Sequence, residues 1–238
     1  MQKKATQFLK DSIVRSANAA TLGMSVWLLL DLLAVSKAHA QGTVWFANRI
    51  FDVQTTHVYA PLNARDTTAV VGRASDDTPT GTTDFAGRVL IGATGHGGLN
   101  GQYGAATTLA QLVMALGANA PESSLLPVGQ TTTFRTGAAA GFNAVIVSTI
   151  YSIPTTPTPT PIGKDYTGPM TFSVVAWDNF SGLYPTWQEA KPAWEAGLIA
   201  AGMMTPFSMT SLGGFSAAQY LTQMGQNLTS FNLHFALR

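Results

Sequence analysis

Histidine and cysteine are the residue types that most often bind metals or act in nucleophilic and acid–base catalysis. The sequence contains no cysteine, and after residue 40 its histidines are His57, His96 and His234. None of the three has another histidine or a carboxylate at the spacing typical of a metal site, and zinc usually needs about three or four such ligands. We therefore expect no zinc site, a flexible turn at His96 and a surface position for His234.

Aspartates in loops are candidate calcium ligands. Asp76, Asp77 and Asp84 fall in a segment rich in Thr, Gly and Pro, and Asp178 directly follows a predicted strand. Calcium takes about six to eight oxygen ligands, but the spacing matches neither an EF-hand nor a nonapeptide repeat. Turn formation explains these aspartates more simply, and calcium binding stays open as the alternative.

Two facing carboxylates are needed for the hydrolysis of a glycoside. After residue 40 the glutamates are Glu122, Glu189 and Glu195, and the last two point apart by about 240° on a helical wheel. The sequence also lacks the G-x-S-x-G, H-E-x-x-H and P-loop motifs. A triad built from distant Ser, His and Asp residues is invisible to sequence arguments. We expect a protein that is not an enzyme and that binds no cofactor.

Tryptophan side chains could form a platform on which a sugar ring stacks. Trp187 and Trp194 are seven residues apart, which favours the buried face of a helix. Trp45 and Trp177 each alternate out of step with the apolar residues of their predicted strands. They are therefore the candidate ligand-stacking residues, although a covering loop or helix would explain their positions equally well.

The elements that must position these residues are predicted to be short strands, because Thr, Gly, Val and Phe dominate and turn-forming clusters interrupt them. The clearest alternation places Phe231 and Leu233 on one face of the last strand and Asn232 and His234 on the other. The segment Phe142–Ile153 is more continuously apolar and is predicted to be a buried central strand. The predicted strands are Thr43–Arg49, Val70–Arg73, Arg88–Gly92, Phe142–Ile153, Met170–Trp177, Pro206–Ser211 and Leu228–Phe235.

Two segments break the strand pattern and are predicted to be helical. Ala105–Leu116 carries apolar residues at helical spacing and ends before a glycine. In Pro185–Gly202, Thr186 and Glu189 form a T-x-x-E capping box. Because a proline inside a helix removes a hydrogen bond, we expect one short turn before Pro192 and a separate helix that starts there. The predicted fold is mainly β: a single antiparallel, jelly-roll-like β-sandwich with these two short helical excursions.

A Pro/Thr-rich stretch at 153–162 either links two domains or forms an extended loop within one. Neither side has enough predicted strands for an independent sheet, so we favour the loop and one domain over 41–238.

The first forty residues are typical of a secretory signal peptide. Lys3, Lys4, Lys10 and Arg15 precede an apolar run, and an A-x-A pattern predicts cleavage between Ala40 and Gln41. The run is shorter than the roughly 18–20 residues that span a bilayer, which disfavours the alternative of a membrane anchor, and we expect no transmembrane segment after cleavage. The removed segment carries more basic than acidic residues, so the chain that remains has a net charge of about −2.

Charge also limits the partners of the protein. Only 11% of the residues are charged, with 13 Lys+Arg against 12 Asp+Glu, whereas an ordinary domain has about 25%. This composition excludes the basic surface of a nucleic-acid-binding protein.

Several motifs spread over the chain are informative together. They are Gly42–Asn48, Val58–Leu62, Gly101–Ala105 with Ala110–Leu112, Val175–Asp178 followed by Trp187, Ala190 and Gly197, then Ser211–Gly214 and Ser230–Leu233. With these motifs the chain resembles the secreted PEP-CTERM-type proteins of environmental Gram-negative bacteria, which are substrates of exosortase. The resemblance implies a β-sandwich surface or matrix protein, and it brings no catalytic residues. Members of that family end in a Pro-Glu-Pro motif, an apolar helix and a basic cluster, where this chain ends at Arg238; the chain is therefore either a relative without the sorting tail or a truncated one.

We therefore expect an exported, non-catalytic structural or adhesive component of the cell surface or extracellular matrix, located outside a Gram-negative cell. Self-association and extracellular polysaccharide are the expected partners. The alternative is a carbohydrate-binding module that uses exposed tryptophans.

Overall fold

Strands make up most of the regular structure in the computed structural model, which describes residues 42–94, 100–150, 152–153, 160–161, 168–210, 219–220 and 228–237. The described residues contain one α-helix, α1 (Trp187–Glu195), and two short 3₁₀ turns, Glu122–Ser124 and Gly137–Ala139. The mainly β prediction is confirmed, but only one of the two predicted helices forms. The strands are β1 (Gly42–Phe46), β2 (Arg49–Ile50), β3 (Gln54–Thr55), β4 (Val58–Tyr59), β5 (Val71–Gly72), β6 (Thr108–Leu116), β7 (Leu126–Thr132), β8 (Ile146–Ile150), β9 (Ser152–Ile153), β10 (Thr160–Pro161), β11 (Met170–Asp178), β12 (Ala201–Met203), β13 (Phe207–Met209), β14 (Gln219–Tyr220) and β15 (Ser230–Asn232).

The longest strands, β6 and β11, pair antiparallel over nine residues each, from Met170 opposite Leu116 to Asp178 opposite Thr108. The predicted helix at Ala105–Leu116 is therefore wrong, because most of that segment is β6. Both faces of β6 are covered, so its apolar residues do not alternate with polar ones, and the apolar spacing imitates that of a helix.

These two strands form the centre of a five-stranded sheet in which β7 pairs with β6, and β12 and β13 pair with β11. Two three-stranded sheets have the orders β14-β1-β8 and β4-β15-β5. An isolated bridge joins the large sheet to the β4-β15-β5 sheet, because Ala201 and His234 exchange backbone hydrogen bonds of 2.9 and 3.0 Å. At this junction a Cβ on Gly202 would lie 2.2 Å from the carbonyl oxygen of Asn232, so only glycine allows the approach.

Alternate residues of β11 enter two different apolar cores. Phe172 and Val174 pack into the main core, which also contains residues of β1, β4, β8 and β15. Val175 and Trp177 pack into a second core beneath α1. All nine residues of β11 are buried, so this strand, rather than the predicted Phe142–Ile153, is the central one.

Helix α1 begins where the sequence predicted, because the carboxylate of Glu189 accepts hydrogen bonds from the backbone N–H and the hydroxyl of Thr186. The expected break at Pro192 is wrong, since one helix runs through it. Pro192 and Gln188 both lie on the exposed side, where water can hydrate the Gln188 carbonyl that the proline leaves without a donor.

The remaining predictions agree with the structure in part. Strands form within the predicted segments near residues 43, 71, 146, 170, 207 and 230, whereas Arg88–Gly92 is a turn with one bridge, from Leu90 to Tyr59. In the Pro/Thr-rich stretch, β9 pairs antiparallel with β10, so Ile153 lies opposite Thr160. In the part of the chain that is described, no helix has the length and apolar character to cross a membrane.

Candidate functional site

The two tryptophans predicted to stack on a ligand occupy different environments. Trp177 is completely buried, and its indole Nε1 donates a 2.7 Å hydrogen bond to the carbonyl of Tyr184. Helix α1 covers this face of β11 through Trp187, whose ring centroid lies 5.8 Å from that of Trp177. The prediction of an exposed stacking surface at Trp177 is therefore wrong, and the covering helix is the explanation.

Trp45 is half-buried and lies on the outward side of β1, since its neighbours Val44 and Phe46 point into the main core. In the antiparallel pair of β1 and β8, Trp45 lies opposite Val147, which is 50% exposed. Val145 is 43% exposed and lies on the same side as Val147, because alternate residues of a strand share a face. Together Trp45, Val145 and Val147 form an outward apolar face, which we call the β1–β8 face.

The predicted cleavage bond between Ala40 and Gln41 lies outside the described residues, as does His96.

A groove opens between α1 and the 3₁₀ turn Glu122–Ser124, with a volume of about 330 Å³. Its apolar residues are Val113, Leu125 and Met203 together with the rings of Trp187 and Trp194. Trp187 is almost fully buried, whereas Trp194 is partly exposed. The two helix tryptophans therefore do more than fill a core, because they also line an open groove.

Hydrogen bonds fix both of these tryptophans in place. The backbone N–H of Trp187 donates to Oε1 of Gln111 on β6 at 3.0 Å, and the Gln111 amide in turn donates to the Gly129 carbonyl. The indole Nε1 of Trp194 donates to the carbonyl of His234 at 3.0 Å. Since the Trp187 and Trp194 centroids are 5.9 Å apart, the rings form one fixed aromatic wall.

The rim of the groove is polar. Glu122 and Ser123 on the 3₁₀ turn are exposed, as are Lys191 and Glu195 on the opposite wall. Lys191 and Glu195 are one helical turn apart and form an ion pair at the surface. The groove therefore combines an apolar wall with hydrogen-bonding groups of both charges, which we call the Trp187–Trp194 groove.

Outside this groove, the chain buries a cluster of His57, Asp77 and Ser230. His57 Nδ1 lies 2.8 Å from Oδ1 of Asp77. The Ser230 hydroxyl donates to the Asp77 carboxylate at 2.7 and 2.9 Å and accepts a 2.6 Å bond from the backbone N–H of His57. The backbone N–H of Ala74 donates to Oδ2 of Asp77 at 2.6 Å.

The hydrogen-bond pattern of this cluster differs from that of a catalytic triad. In a triad the serine hydroxyl bonds to the histidine, which removes its proton. Here the single hydroxyl proton of Ser230 is directed at Asp77, and Ser230 is completely buried. The three side chains hold distant segments together and present no accessible nucleophile.

The same place contains the candidate metal ligands, since ligand atoms of His57, Asp76 and Asp77 lie within 4.8 Å of one another. Both oxygens of Asp77 already accept hydrogen bonds from protein groups. Of the three residues only Asp76 is exposed. A cation would have to displace buried hydrogen bonds, so the donor set fits a metal poorly.

Sequence reasoning missed this cluster because His57 and Asp77 are 20 residues apart, and Asp77 and Ser230 are 153 residues apart. The predicted turn at Asp76–Asp77 was the single local signal. His234 is also not on the surface as predicted, because its ring is partly buried against Trp194 at a centroid distance of 5.5 Å.

Comparisons with known proteins add nothing to this geometry. No protein-family model matches the sequence, and neither a curated protein nor a solved structure matches it.

Proposed function

We propose that the protein is an exported, non-catalytic structural or adhesive component of the bacterial cell surface or extracellular matrix. The signal-like N-terminal segment supports export, and the resemblance to PEP-CTERM-type proteins supports the location. The absence of catalysis is supported by the His57–Asp77–Ser230 cluster, in which the groups of a triad are committed to buried structural bonds.

Within the mainly β class, the architecture that we propose is a β-sandwich of the jelly-roll type. The main core supports it, because residues of the large sheet and of β1, β4, β8 and β15 meet there. Two sheets that enclose one apolar core are the defining feature of a sandwich.

The β1–β8 face is the observation that carries the adhesive role. Val145 and Val147 expose apolar side chains next to Trp45 on a sheet surface, where water contact is unfavourable. The partner that we propose for this face is a second copy of the chain, since a net charge of about −2 after signal removal leaves little repulsion between copies.

Sedimentation velocity over a concentration series tests this proposal on the full chain, expressed in a Gram-negative host and purified. The unmodified protein is expected to associate as its concentration rises. Val147→Lys should shift association to concentrations about tenfold higher, because a buried ammonium opposes contact between apolar faces. Val53→Lys is the matched control: Val53 is 49% exposed, nearly as much as Val147 at 50%, but it lies in the turn between β2 and β3.

A strictly monomeric protein at all concentrations, or equal effects of the two lysine variants, would reject association through the β1–β8 face. Turnover of a polysaccharide or peptide by the unmodified protein would reject the non-catalytic role. Mass spectrometry of the exported material checks the export step, with Gln41 as the expected N-terminus and an intact Met1 on membrane-bound protein as the contrary result.

A further inference from the structure

We propose that the Trp187–Trp194 groove binds a pyranose ring of a neutral polysaccharide. This inference rests on the proposed adhesive function, because it names the matrix ligand and the site that holds it. The site differs from both tryptophans that the sequence suggested, Trp45 and Trp177.

The apolar side of the groove fits one face of a sugar ring. A pyranose carries axial C–H groups on its faces and hydroxyl groups around its edge. The partly exposed ring of Trp194 offers an aromatic surface for the C–H face, and Trp187, Val113 and Leu125 extend that surface inward.

The polar rim fits the hydroxyl groups. Carboxylates of Glu122 and Glu195 accept hydrogen bonds, the ammonium of Lys191 donates them, and Ser123 does both. These groups come from two opposite walls, so hydroxyls on both edges of one ring can be reached.

Charge selects a neutral ligand over an acidic one. Lys191 is already paired with Glu195, which leaves Glu122 as the unbalanced charge among the groove residues. A carboxylated or sulfated polysaccharide would be repelled by this glutamate, whereas a neutral one would not. The volume of about 330 Å³ lies at the lower end of the roughly 300–1,000 Å³ typical of ligand sites, which suits one ring rather than a long segment.

The walls are fixed before any ligand arrives. The loop that leads into the 3₁₀ turn is anchored where the backbone N–H of Ala120 donates to Thr171 and that of Asn119 donates to Ser208, at 2.9 and 2.8 Å. The opposite wall is held by the hydrogen bonds of Trp187 and Trp194 to Gln111 and His234. Preorganised walls reduce the entropy lost on binding.

The test measures binding of the purified full chain to laminarin, a soluble neutral glucan, and to alginate, an acidic polysaccharide, by affinity electrophoresis and tryptophan fluorescence. Laminarin is expected to retard the protein and to change its fluorescence, and alginate is not. Trp194→Ala should weaken laminarin binding by roughly tenfold, and Trp194→Phe, which keeps an aromatic face, should restore most of it.

Glu122→Gln keeps the fold of an exposed turn and provides a second variant in case Trp194→Ala unfolds. It should weaken laminarin binding by about threefold, because a carboxylate accepts stronger hydrogen bonds than an amide. Two controls should bind as the unmodified protein does: Trp45→Phe on the β1–β8 face, and Asp84→Asn, an exposed carboxylate outside the groove.

Three binding results would overturn the proposal: no retardation by laminarin, preference for alginate, or equal losses in Trp45→Phe and Trp194→Ala. Altered self-association of Glu122→Gln would assign the groove to a second copy of the chain and would also overturn it. A protein that associates through the β1–β8 face yet ignores laminarin rejects the groove and leaves the adhesive function intact. Cleavage of bound laminarin rejects the non-catalytic function and leaves the binding site intact.

Discussion

Asn48 and Asn143 are 95 residues apart in sequence, and each accepts a hydrogen bond from the other's backbone through its side-chain oxygen, at 2.9 and 3.0 Å. The Asn48 amide also donates to the carbonyls of Thr56 and Gly141, and the Asn143 amide donates to that of Phe46. Both side chains are buried, so these bonds satisfy backbone groups that water cannot reach. The reciprocal pair joins the end of β1 to the segment that leads into β8.

Removing one partner of this pair should destabilise the fold strongly. Asn48→Ala leaves the Asn143 N–H and the Thr56 carbonyl without the partners that the Asn48 side chain provides, and we expect a loss of about 2–4 kcal/mol in the free energy of unfolding. Urea denaturation monitored by fluorescence measures it. The exposed Asn100→Ala should change stability by less than about 0.5 kcal/mol, and Asn48→Ala with Asn143→Ala should lose less than the sum of the single variants.

A second prediction concerns acid stability and the buried ion pair of Asp66 and Arg88, whose side chains are both almost inaccessible. Burial alone would raise the pKa of Asp66, but the hydrogen bond from Arg88 and the backbone N–H groups of Leu62 and Thr68 outweigh it and lower the pKa below 3.8. The stabilisation is therefore present above the unfolded pKa of about 3.8 and is lost as the pH falls through the lower folded value.

Asp66→Asn should therefore lower stability at pH 7 by about 3–5 kcal/mol, because it leaves Arg88 charged and buried. Its stability should also depend less on pH between about pH 4 and pH 2 than that of the unmodified protein. Thermal unfolding at a series of pH values measures both effects. Asp84→Asn at an exposed turn is the control, and an equal loss of acid sensitivity in that variant would contradict the assignment to Asp66.

Local signals predicted the helix start and six of the seven strand segments, and they failed at Arg88–Gly92 and where two cores share one element. The capping box of Thr186 and Glu189 is complete within four residues, so the sequence located the beginning of α1. In β11 both faces are buried, and Trp177 looked out of step because α1 supplies a second apolar environment for it. No local pattern distinguishes a face that meets a helix from one that meets solvent.

The candidate sites were predictable only to the extent that their residues are neighbours in sequence. Trp187 and Trp194 were correctly placed on one helix face, but the opposite rim at Glu122 comes from a segment more than sixty residues earlier. Its proximity depends on the pairing of β6 with β7 and of β6 with β11. Such long-range register is set by the whole core, which a single sequence does not reveal.

Asp178 is expected to change the pH dependence of stability in the opposite direction to Asp66. Burial raises its pKa, although hydrogen bonds from the Gln102 amide and the Phe180 N–H partly oppose this. The ionised form is therefore penalised in the fold, and stability falls as the pH rises from the unfolded pKa of about 3.8 through the higher folded value. Asp178→Asn removes the buried charge and can keep both contacts if the Gln102 amide turns over.

We expect Asp178→Asn to be more stable than the unmodified protein at pH 7 and equally stable at pH 3. Urea denaturation at the two pH values measures this. Asp52→Asn, at an exposed turn, should leave the difference between the two pH values unchanged. Lower stability of Asp178→Asn at pH 7 would show that its hydrogen bonds, rather than its charge, dominate.

The environment of His234 predicts that the folded protein loses stability in mild acid. Burial lowers its pKa below 6.5, the charge of Arg88 acts in the same direction, and Asp66 and a backbone hydrogen bond at Asn232 oppose them. Its Nδ1 is buried and has no hydrogen-bond partner among the described residues, and its ring lies edge-on to Trp194. The His234 ring therefore binds a proton less readily in the folded protein than in the unfolded chain. Stability that is complete above about pH 6.5 should decline as the pH falls below that value and should level off once the folded state is protonated too.

His234→Phe keeps an aromatic contact with Trp194 and removes both the titratable group and the unpaired nitrogen. Its stability should equal or exceed that of the unmodified protein at pH 7.5, and it should decline less between pH 6.5 and pH 5. Asn100→Ala, exposed and distant in sequence from His234, should keep the full decline. The backbone carbonyl that holds Trp194 is unchanged in His234→Phe, so laminarin binding should persist at both pH values. If instead the phenylalanine variant loses stability in mild acid as steeply as the unmodified protein, another group is responsible for the acid response.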